Sequence, residues 1–123
     1  MIQIRYPAHV LLLACVLIAG CATSQNRPMQ LVSGTGPIYP PAAKAQGIEG
    51  VVVVRYAVTL DGRVVDARVD SARPEGVFEE AALSAVRSWR YNPALKNGKP
   101  VAVDNVVSTL RFELSSGERY RGY

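Results

Sequence analysis

Histidine and cysteine are almost absent from this sequence. It has one histidine, His9, and two cysteines, Cys15 and Cys21, and all three lie in its first 21 residues. The rest of the chain therefore has no imidazole and no thiol, which excludes His-assisted nucleophiles, Cys nucleophiles and the usual zinc sites there. Carboxylates are present, but Glu79 and Glu80 are neighbours on a predicted helix and point in different directions. We predict no catalytic residue, no metal site, no cofactor and no enzymatic activity.

Long hydrophobic runs are also missing. The longest apolar run has ten residues, Val10 to Ala19, about half of the ~20 that a membrane-spanning helix needs. A short segment with Arg5 precedes this run, and small and polar residues follow it. This order is typical of a secretory signal peptide. A buried core helix is the alternative, but such a helix is rarely apolar on every face.

The end of the apolar run narrows the interpretation. Residues 18–21, Ile-Ala-Gly-Cys, resemble the lipobox of bacterial lipoproteins, in which a peptidase cuts before the cysteine and the thiol carries the lipid. The resemblance implies that residues 1–20 are a signal peptide and that Cys21 is lipidated. Because Cys15 would be removed with the signal peptide, no intramolecular disulfide would remain.

Charge gives only a weak indication. The formal net charge is +4, but the basic residues are scattered instead of forming a stripe with stacking aromatics. Nucleic acid is therefore excluded as a partner. We predict a disordered tail at residues 115–123.

Composition divides the rest of the chain. Residues 21–36 are small, polar and rich in Gly and Ser, which predicts a lipidated N-terminus followed by a flexible tether. Residues 37–114 have the composition of one small folded domain. No internal repeat is present.

Hydrophobic periodicity predicts the elements of this domain. Residues 51–60 alternate as a strand, with Val52, Val54, Tyr56, Val58 and Leu60 on one face, and the Asp61-Gly62 pair predicts a two-residue hairpin turn. Residues 63–71 form the returning strand, with Val65, Ala67 and Val69 facing inward.

A helix and a last strand follow the hairpin. Residues 77–90 place Phe78, Ala82, Ala85 and Trp89 on one helical face. Residues 101–114 predict a long strand whose alternation slips at residues 104–105, which indicates a bulge. The predicted fold is α+β: a small antiparallel three-stranded sheet in the order β-β-α-β, with one helix packed on it.

These elements carry residues that closely resemble the C-terminal domain of the TonB family. The resemblance covers about residues 38–114. Its marks are Tyr39-Pro40 before a short helix, Gly50 at the start of the first strand, Asp61-Gly62, Ala81-Ala82, and Trp89-Arg90-Tyr91 followed by Pro93. Each mark is weak alone, but their order is specific.

The resemblance implies a protein-binding module. Domains of this family engage outer-membrane transporters in the periplasm, where a short transporter segment adds as a strand beside the last strand of the domain. Carried over by position, the partner-binding residues are Tyr39, Pro40, Val106, Val107, Ser108, Thr109, Leu110, Arg111 and Phe112. The same edge could instead be blocked, or pair with that of a second copy to give a weak homodimer.

Two interpretations remain open from the sequence. One is an adaptor of outer-membrane transport that binds a transporter or another envelope protein by strand addition. The other is a structural envelope lipoprotein that binds peptidoglycan or an assembly factor. Because Ala22 stands where inner-membrane lipoproteins typically have aspartate, we expect an outer-membrane lipid anchor with the domain in the periplasm; an inner-membrane lipoprotein is the alternative.

Overall fold

The computed structural model describes residue 2 and residues 25–114. Apart from Ile2, the predicted signal peptide, Cys21, Ala22 and the predicted tail lie outside the described residues. The described residues form nine elements, in the order β1 (Gln30–Ser33), α1 (Pro41–Ala45), β2 (Gly50–Val58), β3 (Val64–Arg73), α2 (Glu79–Ser88), β4 (Arg90–Asn92), β5 (Ala94–Lys96), β6 (Lys99–Val101) and β7 (Val103–Phe112).

The centre of the fold is an antiparallel three-stranded sheet in the order β3-β2-β7. β2 lies in the middle, and its alternate residues Val52, Val54, Tyr56 and Val58 are at most 2% exposed. The fifth residue predicted on that face, Leu60, is 56% exposed because β2 ends two residues before it. The predicted α+β class and the three-stranded sheet are confirmed.

Helix α2 covers the inner face of this sheet. Its buried residues Ala82, Ala85 and Val86 pack with Phe78 and Trp89, which flank the helix. Glu79 and Glu80 lie in the first turn and Arg87 in the last, so the charges oppose the helix dipole. The face predicted from the 3.6-residue period is therefore the one that the helix buries.

The β2–β3 turn differs from the prediction. Thr59 N–H donates to Arg63 O and Gly62 N–H donates to Thr59 O, each over 2.9 Å, so the loop has three residues instead of two. Only Gly62 of the predicted pair has a positive φ, 79°, as in a type I turn followed by a left-handed glycine. The two-residue turn occurs instead between β5 and β6, where Asn97 and Gly98 have φ values of 53° and 76°.

Strand β3 corrects a second expectation. Val65, predicted to face inward, is 39% exposed. The β2–β3 register slips between the pairs Arg55–Arg68 and Ala57–Val65, and Asp66 within the slip has a φ of 54°. The extra residue in β3 turns Val64, and not Val65, toward the core.

The described part of the predicted tether belongs to the fold. β1 pairs antiparallel with β4, and Arg27 exchanges two backbone hydrogen bonds with Leu95, of 3.0 and 2.8 Å. We call residues 25–33 the N-terminal strap. Their pairing was not visible in the sequence because backbone groups make it, without an alternation of apolar side chains.

Candidate partner-binding edge

Strand β7 forms one side of the three-stranded sheet, and no other described strand pairs with its outer edge. Ser108, Leu110 and Phe112 are buried beneath the sheet. Between them, Val107, Thr109 and Arg111 are exposed on the other face. The alternation predicted over residues 106–112 is therefore present, but the buried side chains cannot themselves reach a partner.

The direction of the backbone groups follows from the β2–β3 hairpin. The Thr59–Arg63 hydrogen bond turns the N–H and C=O of Thr59 toward β3. Because these groups alternate sides along a strand, the odd-numbered residues of β2 face β3 and the even-numbered residues face β7. The extra residues at each register slip lie in β3 and β7, so β2 keeps this alternation.

The consequence for β7 comes from its register. Val52 pairs with Leu110, and Val54 pairs with Ser108. The even-numbered residues from 106 to 112 therefore use their backbone groups on β2. Val107, Thr109 and Arg111 direct theirs to the outer edge, and we call these three residues the open edge.

Each end of this edge has a defined boundary. At its start, two residues of β7 lie opposite Ala57, and one of them, Asn105, has a φ of 53°. The bulge predicted at residues 104–105 is confirmed. Beyond the other end of the strand, Leu114 N–H donates to the Glu49 carboxylate over 2.8 Å.

Tyr39 and Pro40 lie beside the far end of β7. Pro40 precedes α1 and accepts a hydrogen bond from Lys44 N–H of 2.9 Å through its carbonyl. The Tyr39 ring packs edge-on against Phe112 at 5.7 Å and Phe78 at 5.5 Å between centroids, and those two rings stack at 4.3 Å. The structure thus brings the two predicted parts of the site together through Phe112.

The hydroxyl of Tyr39 is engaged within the fold. It donates to the carbonyl of Ile48. Burial raises the pKa of Tyr39, and the nearby Glu49 carboxylate raises it further. Tyr39 therefore stays neutral at ordinary pH and packs in the aromatic cluster as a partly buried residue.

A buried hydroxyl chain beneath β7 was missed from the sequence. Ser108 Oγ lies 2.9 Å from the hydroxyl of Tyr56, which lies 2.6 Å from the hydroxyl of Tyr91. This chain joins β7 to β4 across the core. The available signal was a serine within an otherwise apolar alternating run, since a buried hydroxyl requires a hydrogen-bond partner.

One ion pair crosses the exposed face of the sheet. Arg55 contacts Asp70 through Nε at 2.8 Å and through a terminal nitrogen at 2.7 Å. The hydrogen bond with Asp70 raises the pKa of Arg55, and the same bond holds the pKa of Asp70 below its usual range. Both groups stay charged near neutral pH, and the pair joins β2 to β3 without reaching the open edge.

Neither a metal site nor a membrane-spanning helix is present in the described residues. Residues 25–114 contain no group of three or more His, Cys, Asp or Glu side chains positioned to hold a metal ion. In the same residues, no helix is long and apolar enough to span a membrane.

Comparison with known proteins identifies the domain. The family model for the C-terminal region of the Gram-negative bacterial TonB protein matches residues 35–114. The chain belongs to this family. The TonB resemblance noted in the sequence is thereby confirmed, and membership makes the domain a non-catalytic module, as predicted.

Relatives and solved structures agree with this assignment. Protein TonB of Escherichia coli K12 is 45% identical over 93 residues, which make up 76% of this chain and 36% of that protein. Protein TonB of Pseudomonas aeruginosa is 41% identical over 66 residues, which make up 54% of this chain and 19% of that protein. The chain thus matches about a third or less of each of these relatives.

The solved structures support the fold. The solution NMR structure of the Pseudomonas aeruginosa TonB C-terminal domain aligns with a TM-score of 0.62 and 32% identity, covering 72% of this chain and 88% of that one. The TonB2 protein of Vibrio anguillarum aligns with a TM-score of 0.56 and 28% identity, covering 77% and 87%.

Proposed function

We propose that this TonB-family domain captures an extended segment of an outer-membrane transporter, or of another envelope protein, along the open edge of β7. The observation that carries the proposal is the direction of the backbone groups of Val107, Thr109 and Arg111. These three residues stand at every second position of β7. Each offers a backbone N–H donor and a C=O acceptor at an edge that no described strand occupies.

Strand addition is the mode of binding that suits such an edge. Main-chain hydrogen bonds supply most of the affinity, and neighbouring side chains supply selectivity. Val107, Thr109 and Arg111 flank the added segment on the exposed face, and the partly buried Tyr39 lies near the end of the strand. The partner is therefore recognised chiefly by being extended and by having free backbone groups.

Proline substitution tests the proposal directly. Thr109→Pro removes an N–H that points to the open edge and leaves the β2 pairing intact, so it should abolish capture of an outer-membrane transporter. Thr109→Ala, the matched control, removes the side chain but keeps the N–H, and should retain most of the binding. The measurement is a pull-down from solubilised outer membranes with mass-spectrometric identification of the captured protein.

Circular dichroism of both variants establishes first that the fold persists. A folded Thr109→Pro variant that captures the transporter as well as wild type would contradict binding at this edge. Equal binding of both variants to purified peptidoglycan, without capture of a transporter, would favour the structural-lipoprotein interpretation.

We infer further that Cys21 is the mature N-terminus and carries the lipid that holds the domain at the outer membrane. The support is the lipobox resemblance at residues 18–21 and the short apolar run before it. Intact-mass analysis of the membrane-extracted protein should show a chain that begins at residue 21 with added acyl mass. Cys21→Ala should yield an uncleaved or lipid-free product, and an unmodified wild-type N-terminus would contradict the inference.

A further inference from the structure

The N-terminal strap is held to the domain by a row of hydrogen bonds, most of them between backbone groups. Gly98 N–H donates to Gln25 O over 3.0 Å, and Asn97 N–H donates to Asn26 Oδ1 over 2.9 Å. The mutual bonds of Arg27 and Leu95 follow, and then the β1–β4 pairs from Gln30–Asn92 to Ser33–Arg90. The strap thus runs antiparallel to residues 90–98 and is attached by pairs in sequence.

Side-chain burial contributes little to this attachment. Eight of the nine strap residues are exposed, including Leu31 at 45% and Val32 at 56%, and only Met29 is partly buried against the core. Segments with few apolar contacts and exposed backbone hydrogen bonds open with low free energies, independently of the core. The strap has both properties.

Where the strap ends, the chain is held by contacts with α2 and with the buried Trp89. Trp89 Nε1 donates to Thr35 O over 3.2 Å, and Thr35 N–H donates to Ser88 Oγ over 3.1 Å. Gly34 lies so close to the Trp89 ring that a Cβ there would overlap it. We call residues 34 and 35 the lock, because they tie the chain to a side chain that is 1% exposed.

We propose that the strap peels from β4 and β5 pair by pair, from residue 25 onward, while the sheet, α2 and the lock stay folded, and that it is the part of the fold that yields first to a pull from its N-terminal side. The strap already runs extended along residues 90–98, so its release turns it toward the pull and adds little to its own length. This response applies to whatever pulls on the chain N-terminal to residue 25, and the proposal does not depend on the partner of β7.

The order of the pairs determines how a load is met. A force applied at residue 25 loads the Gln25–Gly98 hydrogen bond first. The Arg27–Leu95 hydrogen bonds are loaded only after that bond has broken. The bonds therefore break one after another at low load. At Thr35 the same pull meets the buried Trp89 and stops. The domain would yield at its N-terminal border before its sheet is stressed.

Hydrogen exchange of the full-length protein in detergent micelles tests whether the strap opens by itself. Leu95 and Gly98 donate to the strap, whereas the Tyr91 N–H of the neighbouring strand donates to Gly62 O over 2.8 Å. Tyr91 is therefore an internal control. We expect Leu95 and Gly98 to exchange at least about 100-fold faster than Tyr91 and the Trp89 indole, yet slower than unprotected amides.

Two substitutions at one position then isolate the strap. Arg27→Pro deletes the N–H that bonds Leu95 O, and should bring Leu95 and Gly98 to unprotected rates without affecting Tyr91. Arg27→Ala removes only the side chain, whose contact with Pro93 O is long at 3.3 Å, and should behave like wild type. Equal exchange of Leu95, Gly98, Tyr91 and the core in wild type would overturn the proposal, as would a wild-type strap that is fully unprotected.

Stretching single molecules of the chain from residue 22 onward, with tags fused to its two ends, tests the response to load. Wild type and Arg27→Ala should show a first step at low force, in which the strap opens, before the domain unfolds. Arg27→Pro should lack that step. A single transition that includes the strap and the sheet together in wild type would overturn the proposal.

Discussion

Trp89 contacts three parts of the fold. It is 1% exposed, packs edge-on against Tyr56 at 6.2 Å between ring centroids, and donates its indole N–H to Thr35. It also closes the C-terminal end of α2, where its N–H donates to Val86 O over 3.1 Å. A single side chain thus joins the helix, the central strand and the lock.

Replacing this side chain should therefore cost much of the stability of the domain. Trp89→Ala should lower the free energy of unfolding by about 3–5 kcal/mol, as for other buried large aromatics. That loss is comparable to the whole stability of a marginal small domain, about 5 kcal/mol. Urea unfolding followed by circular dichroism measures it. Trp89→Phe, which keeps an aromatic ring but loses the indole donor, should cost less; unchanged melting of Trp89→Ala would contradict a core role.

At the scale of elements, the sequence predicted what burial imposes on it. β2 and α2 bury one face each, so their apolar residues recur with periods of 2 and 3.6. The inward positions of β7 from Val106 to Phe112 and the bulge near Asn105 were predictable for the same reason. For the candidate site, the sequence alone thus predicted which side chains of β7 face the core and which face outward.

Other elements left no such pattern. β1, β4, β5 and β6 have three or four residues each, too short to show a period, and β1 is exposed throughout. Asp61-Gly62 and Asn97-Gly98 are similar as dipeptides, yet only the second forms a two-residue turn. Turn length depends on strand register, which the dipeptide does not encode.

The open edge required the strand order. Period alone shows that Val107 and Thr109 face away from the core, but not that β7 lies at a side of the sheet. That knowledge came from the family resemblance in the sequence and from the strand pairing in the structure. The direction of the backbone groups needed one more observation, the hydrogen bond between Thr59 and Arg63.

For the molecule as a whole, we propose that the stable part of the domain begins at the lock, with the strap as a paired extension before it. The family match begins at residue 35, where Thr35 contacts Ser88 and Trp89. The border predicted from composition, residue 37, omits these contacts. Composition does not detect these contacts, because Gly34 makes them by lying close to the Trp89 ring and Thr35 makes them with its backbone N–H and C=O.

A series of N-terminal truncations should locate this border. A chain that begins at residue 37 should be less stable than one that begins at residue 34 by about 1–3 kcal/mol, since the buried indole N–H of Trp89 loses its acceptor. Shortening from residue 25 to 34 should cost less, because the strap is largely exposed. Urea unfolding of the three chains provides the comparison. A larger loss between residues 25 and 34 than between 34 and 37 would contradict this position of the border.

Under the proposed strand addition, Asn105 limits the length of the partner segment that can pair with the open edge. Its φ of 53° turns the backbone out of line, so the straight part of the edge runs from Val106 to Phe112, a length of about 23 Å. Only every second residue of a paired segment then faces the open edge. A proline of the partner at one of those positions removes a hydrogen bond to β7, whereas a proline at a position between them removes none. A partner that adds to this edge as proposed can therefore carry proline at alternate positions of one short segment without losing a hydrogen bond to β7.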